Sequence, residues 1–348
     1  MNQKGIAPLI IVAIVVVAVV AGVGIYATTH GGSGEGGGTG GGTTPGQDNS
    51  GTTPFFGSAP DVTVNLSVPD AYLGDYPPAT FTVTNTGDPC TVSYTIFQTA
   101  PQTGSFSLGK GESKTVNVTG LQVRDIGTGS PSVQITASNS YGSDTAQAST
   151  SFNVDVKPFD ATLYIDSNEL SSARNGVMRA LREAWRWLQS LLSPYRADAY
   201  TQFITPDSQT IKMIANQLSS RHPYDSELRA KEIYYWLIDW VSYDYEHMSE
   251  WYLQATYPVE TIADQTGICI NYSMTLASLY EAVGLDTKLV VLWGGQPYGH
   301  AIILLYYPNL DYAYYPFNDG WMALDPTNCS VFGEYNPYGY TDWDTVSI

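Results

Sequence analysis

The hydrophobic period of this chain changes once, and that change decides which architectures the chain can form. Between residues 61 and 156 apolar residues alternate with polar ones, as in Val62, Val64 and Leu66. From residue 167 onward they recur at intervals of three and four. Alternation is typical of a strand with one buried face, whereas intervals of three and four are typical of an amphipathic helix. The sequence therefore predicts an all-β region followed by a region that contains helices.

The alternating region is divided into short strands by turn sequences such as NTGDP and GKGES. About seven strands at this spacing are typical of an immunoglobulin-like sandwich. We therefore predict an Ig-like β-sandwich over residues 59–158. Its motifs are generic, which favours a spacer over a specific ligand-binding module.

An uncharged apolar run, IAPLIIVAIVVVAVVAGVGIYA, occupies residues 6–27 and is about as long as the roughly 20 residues that cross a bilayer. Lys4 precedes the run and no basic cluster follows it, so we expect a cytoplasmic N-terminus and external C-terminal domains. The predicted element is a single-pass transmembrane anchor at residues 1–28, which places the protein at the cell membrane. A cleaved secretory signal is an alternative. A pilin-like subunit is another, since KGIAPLI is similar to type IV pilin leaders, although Ile10 replaces their acidic residue.

Residues 29–58 are dominated by Gly and Thr and carry almost no apolar side chain, which predicts a flexible linker with a typical reach of about 30 Å. The formal charge of the whole chain is −18. Because a phosphate backbone needs a basic surface, this charge argues against a nucleic-acid partner. The four histidines show no spacing typical of a metal site, so we expect no metal and no other cofactor.

The C-terminal region, residues 160–348, begins with helical periodicity from Leu170 to Leu192, ahead of Pro194. Further helices are predicted over residues 207–220 and 226–241. The arginines of the first helix form a stripe that we interpret as a solvated face.

A cysteine lies where another helix should start. Cys269 follows Gly267 and precedes INYSMTLASLYEAVG, a helical pattern that ends at Gly284. A helix N-terminus favours negative charge and so favours the thiolate, which is the nucleophilic form of cysteine. On its own, a lone cysteine at this position is more often a small buried hydrophobe.

A histidine and an aspartate lie at two further element ends. His300 starts the apolar strand HAIILLYY, and Asp325 ends the strand in GWMALDPT. A cysteine nucleophile needs a base within hydrogen-bond reach and a third group that orients the imidazole. The three residues together predict an activated thiol.

These motifs resemble the transglutaminase-like superfamily of cysteine hydrolases and acyltransferases. The matching segments are Gly267-Ile268-Cys269, Gly299-His300-Ala301 and the strand that ends Asp325-Pro326-Thr327. The stretches WVSYDYE and YPVETIADQTG are also similar to the family, and the resemblance covers residues 205–330. It implies an α+β fold, a papain-like domain with helices packed on an antiparallel sheet.

The resemblance also implies roles for individual residues. Cys269 would be the nucleophile, His300 the general base and acid, and Asp325 the orienting carboxylate. Family members often add an upstream Trp or Gln side chain to the oxyanion hole, and three residues of this chain are candidates for that role. They are Gln265, Trp236 and Trp240. Ile268 and Ile302 depart from the family pattern and bear on substrate preference.

The sequence thus predicts a membrane-anchored surface enzyme that cleaves amide bonds in protein or peptide substrates through a thioester. Prokaryotic members of the superfamily are mostly regarded as proteases, which ranks hydrolysis above protein crosslinking. A non-catalytic surface scaffold is the alternative from another class of function. A disulfide between Cys269 and Cys329 would silence the enzyme and is also left open.

Overall fold

The computed structural model describes residues 57–97, 101–119, 122–177, 180–182, 184, 195–247, 255–307, 320–335 and 339–348. The predicted anchor, and the predicted linker as far as residue 56, lie outside these residues. Residues 57–348 form one compact unit. Among the described residues, no helix combines the length and apolarity needed to cross a bilayer.

The N-terminal half of this unit is built of β-strands. They are β1 (Val62–Ser67), β2 (Ala71–Tyr72), β3 (Ala79–Asn85), β4 (Cys90–Phe97), β5 (Gln102–Leu108), β6 (Ser113–Val118), β7 (Gly127–Gly129), β8 (Ser132–Asn139), β9 (Gly142–Ser149) and β10 (Phe152–Asp155). One sheet has the order β1-β3-β6 and a second has the order β5-β4-β8-β9. A small third sheet, β2-β10-β7, completes this part of the fold.

The two larger sheets share one apolar core, as expected for a sandwich. Phe81 on β3 and Val92 and Ile135 on the other sheet are fully buried. Alternation places these side chains on one face of each strand, and the intervening polar residues remain accessible. Strand β9 is not predicted by the alternation, because its sequence GSDTAQAS has no large apolar side chain.

The C-terminal half carries the helices. They are α1 (Ser167–Arg174), α2 (Gln209–Ser219), α3 (Ser226–Trp240), α4 (Pro258–Asp264) and α5 (Cys269–Glu281), together with 3-10 helices at Ala161–Tyr164 and Ala197–Phe203. The helices predicted over 207–220 and 226–241 are confirmed as α2 and α3. Asp225 caps α3 by accepting a hydrogen bond from Leu228 N at 3.0 Å, which satisfies one otherwise unpaired amide.

The predicted first helix is interrupted: α1 ends at Arg174 and Asn175 leaves the helical conformation with ψ 138°, but the described residues 176–177, 180–182 and 184 are helical again. The solvated interpretation of its arginines is wrong for Arg182. That side chain is buried, pairs with Glu260, and donates a 2.8 Å hydrogen bond to Ala173 O. Periodicity cannot identify a buried ion pair, since it depends on a distant acidic residue.

The strands of the C-terminal half are β11 (Ser242–Tyr243), β12 (Thr266–Gly267), β13 (Thr287–Trp293), β14 (His300–Tyr306), β15 (Trp321–Leu324) and β16 (Asp342–Ser347). Four of them form an antiparallel sheet in the order β15-β14-β13-β16. Helix α5 packs on β13 and β14, so the buried core lies between helices and sheet. The α+β class predicted for the chain is confirmed.

Loop 122–125 of the β-rich half contacts the start of α3. Arg124 donates to Asp225 at 2.8 Å and to Glu227 at 2.9 Å. Lys231 donates to the carbonyl of Arg124 at 2.8 Å and pairs with Asp125. These ion pairs join the two halves, while the domain limits 59–158 and 160–348 stay a prediction.

Candidate active site

Cys269 is the first residue of α5, as the sequence predicts. The preceding residue, Ile268, is extended, with φ −105° and ψ 179°. Asn271 closes the helix start: its Oδ1 accepts from Ile268 N at 3.0 Å, and its Nδ2 donates to Thr256 Oγ1 at 2.7 Å. The thiol therefore lies at a fixed helix N-terminus.

Gly267 is required by close packing. A Cβ atom there would lie 2.9 Å from Asn271 Cβ and 3.3 Å from Thr261 Cγ2. Real Cβ atoms do not approach so closely, so only glycine lets the chain pass this point and turn into α5. This contact explains the glycine two residues before the cysteine.

The sheet brings His300 and Asp325 together. His300 starts β14, and the register Ile303↔Leu324 places the end of β15 beside that start. His300 Nε2 lies 2.8 Å from Asp325 Oδ2. Because Nε2 faces the carboxylate, Nδ1 is the ring nitrogen that remains for the Cys269 thiol.

Asp325 is held by residues that follow it in the chain. Its Oδ1 accepts from Thr327 Oγ1 at 2.9 Å and from the Asn328 N–H at 3.2 Å. Burial would raise the pKa of the Asp325 carboxyl, but the charge and hydrogen bond of His300, together with Asn328 and Thr327, lower it below its ordinary value. The carboxylate stays ionised and oriented.

The imidazole is stabilised in its charged form. Burial would lower the pKa of His300, yet the charge and hydrogen bond of Asp325, and then those of Cys269, raise it to about 10. At neutral pH the ring is therefore an imidazolium between the Cys269 sulphur and the Asp325 carboxylate. This is the charge distribution that activates a cysteine nucleophile.

The site is closed to solvent. Cys269 is 2% exposed, His300 5% and Asp325 0%. The ring of Tyr340 stacks on His300, with centroids 5.9 Å apart and planes at 10°. Burial, followed by the negative charges of Cys269 and Asp325, raises the pKa of Tyr340 to about 12. The segment that follows β15 thus covers the histidine.

The three oxyanion candidates are not assembled around the sulphur. Trp236 Nε1 donates to Phe159 O at 3.2 Å, and Trp240 Nε1 donates to Ile262 O at 3.0 Å. An indole has one N–H, so neither tryptophan has a donor left for an oxyanion, and these two predictions are wrong. Gln265 ends α4 with a left-handed φ of 52°, and its side chain is exposed.

Sequence reasoning missed Tyr243, although WVSYDYE contains it. Strand β11 runs parallel to β12 and pairs Tyr243 with Gly267, two residues before Cys269. Burial and the charge of Cys269 raise the pKa of Tyr243, so this hydroxyl stays neutral.

Asn328 was also missed. Its Nδ2 lies 3.1 Å from both His300 Nε2 and Asp325 Oδ2. The available signal was its position directly after the Asp-Pro-Thr motif. The Nδ2 group donates to Asp325 Oδ2 and so helps to hold the carboxylate that faces the imidazole.

All three cysteines are buried, and no disulfide joins Cys269 to Cys329. Among the described residues, no group of three or more His, Cys, Asp or Glu side chains is placed to hold a metal ion.

Comparisons with solved structures found partial similarities. The CARDB domain of a Pyrococcus furiosus protein, solved with di-metal ions, is 17% identical over 29% of this chain and 97% of its own length, with a TM-score of 0.23. A β-glucosidase from Listeria innocua is 16% identical over 28% of this chain and 16% of its own, with a TM-score of 0.18. A sporulation control protein from Bacillus subtilis is 14% identical over 30% and 52%, with a TM-score of 0.21. At these TM-scores none supports an inference about fold or function.

A search of curated proteins gave no significant match. One family model does match: that of the transglutaminase-like superfamily, over residues 199–326. This range contains Cys269, His300 and Asp325, and it begins ahead of α2. Residues 199–326 are a domain of the transglutaminase-like superfamily.

Proposed function

We propose that this protein is a cysteine hydrolase that cleaves amide bonds in proteins or peptides. The proposal is supported above all by one observation, the continuous set of contacts from Cys269 through His300 to Asp325 in a buried site. Membership of the transglutaminase-like superfamily is compatible with a cysteine hydrolase or acyltransferase.

In the proposed reaction the Cys269 thiolate attacks the carbonyl carbon of an amide. The His300 imidazolium gives its proton to the departing amine, and the acyl group remains on sulphur as a thioester. The neutral imidazole then takes a proton from water as the water attacks the thioester. Asp325 keeps the ring oriented and stabilises its positive form through both steps.

Water and an amine compete to release the acyl group, and a triad alone does not choose between them, since acceptor binding and water exclusion decide. We rank hydrolysis first, which makes the protein a protease or peptidase. Protein crosslinking is the second outcome.

The proposal includes a location. The apolar run at residues 6–27 would anchor the chain in the cell membrane, and the Gly/Thr linker would hold the enzyme outside, near protein substrates of the cell surface. The β-rich half would act as a spacer. No nucleic-acid partner is proposed, given the charge of −18.

The test is a proteome-derived peptide library offered to the full-length protein and to Cys269→Ala, with a labelled primary amine present. New N-termini found only with the wild type support hydrolysis. Amine-labelled products found only with the wild type would support protein crosslinking instead. Identical products from both proteins would reject catalysis and leave a surface scaffold or pilin-like subunit.

A further inference from the structure

We propose that Asn65 and Asn117 are N-glycosylation sites, which place two oligosaccharides on one face of the β-rich half. The inference does not depend on the chemistry at Cys269. It depends on the proposed location, because N-glycans are added to the parts of a chain that lie outside the membrane.

The sequence contains four Asn-x-Ser/Thr sequences, the acceptor motif for an N-glycan. They begin at Asn65, Asn117, Asn271 and Asn328. The motif is short and frequent by chance, so it identifies candidates only. The structure separates the four asparagines into two pairs, according to what each side-chain amide contacts.

Asn271 and Asn328 belong to the candidate active site. Asn271 is 3% exposed, and its Nδ2 donates to Thr256 Oγ1 at 2.7 Å. Asn328 is exposed, but its Nδ2 donates to Asp325 Oδ2 at 3.1 Å. An N-glycan is attached through Nδ2, so a sugar at either position would break these contacts. We therefore expect both asparagines to remain unmodified.

Asn65 and Asn117 are exposed on the sandwich. Asn65 lies on β1 and Asn117 on β6, the outer strands of the sheet β1-β3-β6. The register pairs Asn65 with Thr82 and Asn117 with Thr80, so both side chains lie on the same face of the sheet. At the usual strand spacing and rise their Cα atoms are about 12 Å apart, which leaves space for two glycans. Thr80 Oγ1 donates to Asn117 Oδ1 at 3.0 Å, a contact that does not use Nδ2.

The face around the two asparagines is suited to sugars. Every outward side chain of β1, β3 and β6 is Ser, Thr or Asn, and none is charged. Neighbouring hydroxyls bond to each other across the strands, with Thr82 and Thr115 at 2.9 Å and Thr84 and Ser113 at 2.7 Å. Short side chains leave room above the sheet. Their hydroxyl and amide groups can bond to the hydroxyls of the first sugar residues.

The third residue of each motif is accessible as well. Ser67 is exposed and follows Asn65 by two positions on β1, so it lies on the same face. Thr119 is exposed just beyond the end of β6. The asparagine and the hydroxyl residue of both motifs can therefore be reached in the folded protein.

The modification is a group transfer from a lipid-linked oligosaccharide, catalysed by a transferase of the cell. Nδ2 of the asparagine forms a bond to the anomeric carbon of the first sugar. The bond from that carbon to the phosphate oxygen of the lipid breaks, and the lipid phosphate leaves with the electron pair. The amide proton passes to a base of the transferase, and nothing is oxidised or reduced. The glycans would stand on both outer strands of the sheet, where bulky polar groups hinder pairing with another chain.

The experiment compares full-length wild type, Ser67→Ala and Thr63→Ala, each purified from the membranes of cells that make the protein naturally. Both substitutions remove an exposed hydroxyl from β1, but only Ser67→Ala destroys a motif, so Thr63→Ala is the matched control. Mass spectrometry of the peptides that contain the four asparagines measures their occupancy. We expect sugar masses on Asn65 and Asn117 in wild type and in Thr63→Ala. Ser67→Ala should lose the sugar at Asn65 completely and keep the one at Asn117.

Unmodified masses for Asn65 and Asn117 in the wild type would overturn the inference. A sugar on Asn271 or Asn328 would also overturn it, because side-chain contacts would then not decide which asparagines are modified. So would a sugar at Asn65 that survives Ser67→Ala, since the motif would not be what the transferase recognises. None of these results concerns the reactivity of the thiol, so the proposed function is tested separately.

Discussion

Replacing Asp325 with asparagine tests the electrostatic basis of the site. The substitution keeps the size of the side chain and its capacity to accept from His300 Nε2, but it removes the negative charge 2.8 Å from that nitrogen. Asp325 is fully buried, so no solvent replaces the lost charge. Burial, which disfavours the imidazolium, would then be opposed mainly by Cys269.

The magnitude follows from the geometry. Two unit charges about 4 Å apart interact by about 4 kcal/mol at an effective dielectric constant of about 20. One pKa unit corresponds to about 1.4 kcal/mol, so the pKa of His300 should fall by up to about three units. The thiolate loses its cation when the ring becomes neutral. The pKa of His300 would thus fall from about 10 to about 7, and between these values the ring is neutral in the variant and charged in the wild type. We therefore expect labelling of Cys269 to slow by roughly 10-fold at about pH 8, where about one ring in ten of the variant keeps its proton.

The assay is the rate of iodoacetamide labelling of Cys269 across the pH range, read by mass spectrometry of the peptide that contains it. Asp325→Asn should label more slowly than wild type at about pH 8, and the two rates should approach each other near pH 6, where the imidazole is charged in both proteins. Asp207→Asn is the control, because it makes the same substitution in an exposed ion pair with Lys212. Circular dichroism establishes that each variant is folded.

Wild-type labelling by a folded Asp325→Asn protein at about pH 8 would refute the reasoning. The imidazolium would then not depend on Asp325, and the role given to that carboxylate would be wrong. A loss equal in size for Asp207→Asn would show that the effect is not local to the site.

Three further predictions concern stability and packing. The pKa of His300 is raised from 6.5 to about 10, so its proton stabilises the folded state fully below about pH 6.5 and no longer above about 10. Urea unfolding of wild type and His300→Gln measures this effect. The difference between their unfolding free energies should shrink by up to about 1.4 kcal/mol per pH unit across that window. Arg182→Leu leaves the buried Glu260 carboxylate without its cation and should lower the free energy of unfolding, measured in urea, by about 3–5 kcal/mol. Replacing both residues with Leu should recover much of this loss. Gly267→Ala places a methyl group 2.9 Å from Asn271 Cβ and should cost about 1–3 kcal/mol and slow iodoacetamide labelling, whereas unchanged values of both would show that the helix start can shift freely.

Hydrophobic periodicity was sufficient to predict the helices and strands that bury a single face. The alternation around Phe81 and Ile135 and the helical spacing in α2 and α3 each reflect one apolar core, so pattern and structure agree. It failed for β9, which lacks large apolar residues, and for Arg182, whose burial depends on Glu260. Hydrophobic patterns identify the residues that are buried but do not identify the polar groups that pair with one another.

The same distinction applies to the site. The elements predicted to carry Cys269, His300 and Asp325 exist, with each residue at an element end, because a helix start and two strand ends are visible in the sequence. The position of Tyr243 was not predictable in this way. Tyr243 lies beside Gly267 through a two-residue parallel pairing, and so short a strand leaves almost no periodic signal. A tryptophan in a buried helix looks the same in sequence whether its N–H is free or bonded.

The order of the strands in the main sheet has a consequence for biosynthesis. Strand β13 pairs on one side with β14, which follows it directly, and on the other with β16, which is made after Cys269, His300 and Asp325 have all been added. Tyr340, which stacks on the histidine, also belongs to this late segment. A nascent chain can therefore complete its β-rich half early and pair β13, β14 and β15, which bring His300 and Asp325 together, before the edge strand β16 is added. The ring that covers the histidine and the strand that closes the sheet edge are thus the last parts of the site to be made.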